Sequence, residues 1–149
     1  MDLNNYEEKN LSSVCTWERG KKGKLYKKGD FCFRVSATSY KIQPIYLYED
    51  SECKDGDVVF SVTDLNYNPF YVFFIFREFL ADFLRRTQTG LNVQPDIFNE
   101  MKLPLHKDKE TQQYLCETLL NVENLIEKEE KCIQSLNDLK KYHLSKMFI

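Results

Sequence analysis

From Asp108 to Ile149 the chain contains neither glycine nor proline. This stretch constrains the fold more than any other. Asp108 can cap a helix, and Glu110 places an acid in its first turn. Apolar residues then recur at alternating steps of four and three: Leu115, Leu119, Val122, Ile126, Ile133, Leu136. Glu129 and Lys140 interrupt the stripe, and Leu125, Cys132 and Leu139 widen it. Such spacing is the mark of a coiled coil. At 1.5 Å per residue the helix runs about 60 Å. A globule built from the preceding residues has a radius of gyration of about 13 Å. Much of the stripe must therefore meet another helix.

Charge along this helix suggests the orientation of that partner. Asp108 to Glu130 holds seven acids and two lysines, whereas Lys131 to Ile149 holds four lysines and one acid. A parallel copy would set like charges together, and an antiparallel copy would set the acidic half against the basic half. The same gradient also suits the helix's own dipole.

The segment 1–107 reads as mixed α and β. Phe31–Ser36, Ile45–Tyr48 and Val58–Val62 are expected strands, the last entered from the Asp55-Gly56 turn. Asn68-Pro69 sets a capping residue before a proline at the first helical position. A helix is expected over Phe70 to Arg86, closing at Gly90, with a short helix or turn near Pro95–Glu100.

The net charge of −2 hides segregation. Between Arg19 and Lys41 stand eight basic residues and one acid, Asp30, while Glu49–Asp57 carries five acids against Lys54. The basic stretch is a candidate footprint for a polyanion. Its alternative is a solvated loop. A protein that binds DNA unaided usually has a more basic total, so any DNA binding by this chain is expected within a larger assembly.

Other classes fall away. The longest apolar run, Phe70–Phe76, is far short of the ~18 residues of a membrane span. The polar N-terminus, Met1–Asn5, is unlike a secretory leader. Five scattered cysteines without a C-x-x-C suit reduced thiols in a cytoplasm. Asn68-Pro69-Phe70-Tyr71 lacks the second proline of the amino-methyltransferase Asn-Pro-Pro-Tyr/Phe loop, and only five glycines leave no room for a cofactor cradle. Pro95-Asp96 and Glu100-Met101-Lys102 are too close together for the two strands of a nuclease metal site. His106 and His143 are far apart. Without a recognisable catalytic set, the chain reads as a recognition or assembly protein.

Several segments together resemble the specificity subunit of type I restriction–modification systems, in half-length form. Gly90-Leu91-Asn92-Val93, Met101-Lys102-Leu103-Pro104-Leu105 and Glu110-Thr111-Gln112-Gln113 are similar to its closing elements and helix opening. Leu136, Leu139-Lys140-Lys141, Leu144 and Met147-Phe148 resemble the end of its long helix. At the front, Leu11 and Val14 followed by Arg19-Gly20-Lys21 look like its opening, and Gly29-Asp30-Phe31 and Gly56-Asp57-Val58-Val59 resemble its Gly-Asp strand entries.

The resemblance implies an α+β fold: a small mixed α/β target-recognition domain over 1–107, then a long C-terminal α-helix over 108–149. The helix would form an antiparallel coiled coil in a dimer. It implies a non-catalytic subunit that reads one half of a bipartite site in double-stranded DNA. It also implies docking of methyltransferase subunits, with S-adenosylmethionine and ATP on those partner subunits only and no membrane. On this reading Arg19, Lys21, Lys22, Lys24, Lys27 and Lys28 hold phosphates. Ser36, Thr38, Ser39, Tyr40 and Lys41 read base edges, with Arg85, Arg86 and Gln88 as a second set. Leu115, Leu119, Val122, Ile126, Ile133, Leu136 and Leu139 form the homodimer seam. The alternative is a coiled-coil oligomerisation adapter that makes no DNA contact.

Overall fold

Phenylalanines on one face of two adjacent strands organise the first unit of the chain. The computed structural model describes residues 2–34, 43–87 and 94–148. In chain order its elements are β1 (Glu7–Asn10), α1 (Leu11–Val14), β2 (Cys15–Arg19), β3 (Leu25–Tyr26), β4 (Phe31–Phe33) and β5 (Ile45–Tyr46). There follow β6 (Ser51–Glu52), β7 (Val58–Val62), α2 (Pro69–Thr87), a 3-10 helix (Pro95–Glu100), β8 (Lys102–Leu105) and α3 (Lys109–Met147). Two compact units result, Met1–Gln113 and Tyr114–Ile149.

Within the first unit, β2, β7, β4 and β5 form a four-stranded antiparallel sheet in that order. Side chains alternate across a strand. Phe31, Phe33 and Phe60 therefore share one face, and Cys32 and Val59 the other. The phenylalanine face packs on α2: Phe31 and Phe60 stack at 5.2 Å, and Phe76 lies 5.1 and 5.0 Å from them. Phe98 of the 3-10 helix meets Phe60 edge-on at 5.3 Å. The opposite face covers a smaller cluster of Tyr26, Leu47 and Cys53 with Cys32 and Val59. Two-stranded pairs β1–β8 and β3–β6 complete the unit.

The start of α2 follows the expected chemistry. Asn68 Oδ1 accepts the Phe70 backbone N–H at 2.9 Å, and Pro69 opens the helix. That use of Asn68 and Pro69 leaves them no resemblance to a methyltransferase loop. The β7 strand has the expected bounds. The strand expected over Phe31–Ser36 ends at Phe33, short of Arg34, and residues 35–36 lie outside the described residues. The strand from Ile45 stops at Tyr46, because Leu47 pairs through its backbone with the turn at Gly29 and Asp30. The expected helix end at Gly90 lies outside the described residues. Strands β1, β2, β3 and β6 were not expected from the sequence. Their pairings join segments far apart in the chain, which local pattern does not encode.

Helix α3 is 39 residues long. Its cap is Asp108, which accepts the Thr111 hydroxyl at 2.7 Å and the Glu110 N–H at 3.3 Å. The Thr111 hydrogen bond holds the Asp108 carboxyl below its ordinary range. Among the described residues no helix is long and apolar enough to cross a membrane.

Phe60 is fully buried among three other rings. Replacing Phe60 by alanine should lower the stability of the first unit by about 3–5 kcal/mol in urea unfolding. A loss under about 1 kcal/mol would contradict the assigned core.

Candidate nucleic-acid interface

The basic stretch folds as two turns around β3. Arg19 closes β2, and its guanidinium donates to the Gly56 carbonyl at 3.4 Å. Gly20 then passes against the chain at Lys54–Asp57. A Cβ there would sit 2.7 Å from the Lys54 carbonyl oxygen, so only glycine fits without displacement. Its N–H donates to the Asp57 carbonyl, and the Gly56 N–H donates back at 3.1 Å. The turn carrying Lys21 and Lys22 is thereby held at a defined edge. Gly29, at φ +97°, serves the second turn, a conformation glycine adopts freely.

The acidic run lies against the basic one, which the linear sequence does not reveal. Asp57 faces Arg34 at 3.7 Å. Asp50 accepts the Lys28 backbone N–H at 2.8 Å. Glu18 of β2 takes Lys24, whose ammonium also lies 5.1 Å from the centre of the Tyr26 ring. The Lys24 hydrogen bond lowers the Glu18 carboxyl's pKa, and Glu18 raises that of Lys24. Both groups are exposed, so the pair contributes little to stability. Lys21, Lys22, Lys27 and Lys28 have exposed side chains with no ion pair among the described residues. They are the cations left to meet an external anion.

Register divides the candidates between two ends of the sheet. Arg19 pairs with Val58, and Val58 with Phe33, which precedes Arg34. Phe33 and Phe83 both touch Phe98, at 6.1 and 5.9 Å. So the exits from β4 toward residues 35–42 and from α2 toward residues 88–93 lie at the same end as Arg19 and Arg34. Gly29 lies instead beside Pro69, at the opposite end of α2. Lys27 and Lys28 are therefore separated from Arg85 and Arg86 by about 24 Å of helix. Arg85 is paired with Asp82 at 3.2 Å, and Arg86 Nε donates to the Asp82 carbonyl at 3.4 Å. Ser36, Thr38, Ser39, Tyr40, Lys41 and Gln88 lie outside the described residues.

A cavity of about 550 Å³ opens beside Arg34, lined by Cys32, Leu47, Cys53 and Asp57 among others. Burial pushes the Cys32 thiol up to about 12 and Cys15 to about 12, so both are protonated at neutral pH and poor nucleophiles. Among the described residues no three His, Cys, Asp or Glu side chains converge as metal ligands.

A polar joint at the foot of α3 had no counterpart in the sequence reading, where His106 stood alone. Tyr71 of α2 accepts the His106 backbone N–H at 2.9 Å and meets its Nδ1 at 2.8 Å. His106 Nε2 lies 2.8 Å from the Leu3 carbonyl. A carbonyl only accepts, so Nε2 carries a proton, and in that tautomer of the neutral ring the Tyr71 hydroxyl donates to Nδ1. Gln112, one turn into α3, donates to the carbonyls of His106 at 2.7 Å and Asn66 at 3.0 Å, and accepts the Asn68 N–H at 2.8 Å. Every polar atom of a residue only 1% exposed is satisfied. The joint fixes the first turn of α3 to the start of α2. The sole sequence signal for it is a His–x–Asp cap followed by a polar residue on what should be a buried position.

Beyond this joint, the stripe residues of α3 differ in exposure. Leu115 and Leu119 are half-buried. Val122, Ile126, Ile133, Leu136 and Leu139 are 46–59% exposed, followed by Leu144, Met147 and Phe148.

No protein-family model and no curated protein sequence matches the chain. Its fold is similar to solved structures of type I restriction–modification proteins. The S subunit from M. genitalium superposes with a TM-score of 0.67 at 13% identity, over 85% of this chain and 42% of that one. A structure addressing complex assembly and conformational transition of the type I system gives 0.65 at 14%, over 85% and 40%. The HsdS subunit from Thermoanaerobacter tengcongensis gives 0.61 at 13%, over 85% and 39%. The chain thus spans about two fifths of the length of the structures it matches, and what it shares with them at these identities is the fold.

Tyr71→Phe removes the hydroxyl that serves two buried His106 nitrogens. It should cost about 1–3 kcal/mol, because both are left unsatisfied. Thermal unfolding of the variant measures this, and an unchanged midpoint would mean that the joint carries no stability.

Proposed function

We propose that this chain is a DNA-specificity subunit of a type I restriction–modification complex, built as half of the S-subunit plan. It catalyses nothing itself. Its first unit reads one half of a bipartite site in double-stranded DNA. Two copies join through α3 in antiparallel orientation, and the paired helices dock the methyltransferase subunits. S-adenosylmethionine and ATP belong to those partners, as does any methyl transfer or cleavage. What carries this reading is the fold likeness to S subunits over 85% of the chain, combined with a span of only 42% of the first of them. The first unit and α3 correspond to one recognition unit and one long helix of that plan.

In this mechanism the unpaired cations do the first work. Lys21, Lys22, Lys27 and Lys28 bind phosphates and set register on the duplex, releasing counterions as they do so. Arg19 and Arg34 sit at the end where residues 35–42 and 88–93 leave the described fold, and Ser36, Thr38, Ser39, Tyr40, Lys41 and Gln88 are the proposed readers of base edges. Lys24, tied to Glu18, contributes less than its neighbours. Because acids from Glu49 to Asp57 offset much of the basic field, affinity for DNA rests on the assembled complex rather than on one chain.

The pairing of Arg34 and Lys24 within the chain favours a second reading, an oligomerisation adapter that never touches DNA. One experiment separates the two. Lys21, Lys22 and Lys27 are changed together to Glu, and the dimer is reconstituted with methyltransferase subunits. The duplex carries the site defined by adenine methylation in the host. Specificity-subunit function predicts at least a ~100-fold loss of DNA affinity and a salt-dependence slope lower by about 5, since two copies each lose three phosphate contacts, with oligomeric state unchanged. Unaltered DNA binding would favour the adapter.

A further inference from the structure

The two charged interruptions of the stripe on α3 contain information about register. Glu129 and Lys140 occupy positions where the four-three pattern calls for apolar side chains. Both are exposed, and neither has an ion-pair partner among the described residues. In an antiparallel pair, each layer sets an a-type position of one helix against a d-type position of the other. Allowed registers therefore differ by whole heptads.

Resting on the antiparallel dimer of the preceding section, we infer that the register is fixed by Glu129 of each copy facing Lys140 of the partner subunit. The two-fold axis then passes between Gln134 and Ser135. The neighbouring layers follow by counting. Ile133 meets the partner's Leu136, Ile126 meets the partner's His143, and Val122 meets the partner's Met147. The overlap runs from residue 122 to residue 147.

Two independent features agree with this register. The first is electrostatic. A shift of one heptad in either direction sets Glu129 opposite the partner's Ile133 or Met147, and Lys140 opposite the partner's Val122 or Leu136. Each such arrangement buries two unpaired charges of each sign against aliphatic side chains, a strongly unfavourable outcome. Among these registers only the inferred one neutralises both interruptions at once. The second is exposure. The continuous exposed part of the stripe begins at Val122, 46% exposed, and reaches Met147, 71% exposed. Every residue of the four layers named above lies in that exposed part. Glu129 and Lys140 thus act as a polar key. They weaken the seam relative to leucine but reject every slipped pairing, the role best attested for buried polar residues in coiled coils.

Charge exchange tests this directly by sedimentation and native mass spectrometry of the full chain. Glu129→Lys places lysine against lysine in both polar layers, and Lys140→Glu places glutamate against glutamate. Each single variant should dimerise at least ~100-fold more weakly than the unaltered chain, since like charges set together at an interface cost several kcal/mol. Both substitutions keep good helix formers, so circular dichroism should show the same helical content apart from any contribution of pairing. Mixed in equal amounts, the two variants should form a heterodimer, in which both polar layers again pair lysine with glutamate. The double variant E129K/K140E should recover homodimerisation.

Single variants that dimerise within about twofold of the unaltered chain would overturn the register while leaving the dimer standing. So would weakened single variants that fail to combine with each other. An unaltered chain that stays monomeric at high micromolar concentration would overturn the dimer itself, and the register with it.

Discussion

The exposed apolar stripe of α3 is the constraint on which the account depends. Over most of its length this helix presents Val122, Ile126, Ile133, Leu136 and Leu139 with about half of each side chain's surface open to water. Burying apolar area stabilises by about 25 cal/mol per Å². An isolated two-sided helix gains its stability from packing such a face, more than from propensity. The sequence nonetheless continues without a breaker to Met147. A rod with this face and with acids in one half and lysines in the other is complementary to its own reversed copy. In the proposed dimer, the interruptions at Glu129 and Lys140 turn that complementarity into a single alignment.

The first unit is built for precision rather than for charge. Its phenylalanine layer ties the sheet to α2, and the Tyr71–His106–Gln112 joint locks the first turn of α3 to the same helix. Both arrangements leave the cations on turns whose backbone is pinned, by Gly20 against Lys54–Asp57 and by the Lys28 N–H on Asp50. Pairing of basic and acidic runs lowers the unit's field. In the proposed function, a subunit that must reject most DNA would gain from this, because electrostatic attraction to phosphates is blind to sequence. A low intrinsic affinity would then make recognition conditional on two units binding together, where effective concentration multiplies modest affinities.

Much of the fold was legible from residue order. The Asn68-Pro69 cap, the Asp55-Gly56 turn before β7 and the Asp108 cap of α3 are local devices, and each stands where its residues predict. The long helix was the most legible element, because a 4-3 pattern without glycine or proline has few other solutions. The charged strand β1 and the short β3 and β6 were invisible. Their residues, Glu7-Glu8-Lys9-Asn10, Leu25-Tyr26 and Ser51-Glu52, become strands only through partners supplied elsewhere in the chain. The same nonlocal pairing hid the partial neutralisation of the basic stretch. Gln112 stands in the sequence only as part of the helix opening, whereas in the fold it is held by backbone groups of Asn66, Asn68 and His106.

The orientation of two α3 helices is the central claim, and a distance across the dimer measures it. A nitroxide placed by Ser145→Cys, with the exposed Cys132 changed to serine, reports the separation of the two helix ends by pulsed dipolar spectroscopy. The antiparallel register predicts the two copies of residue 145 about 32 Å apart along the helix axis, and a spin–spin distance longer than about 30 Å. A distance near 20 Å or less, the width of two helices side by side, would mean a parallel pair and contradict the account.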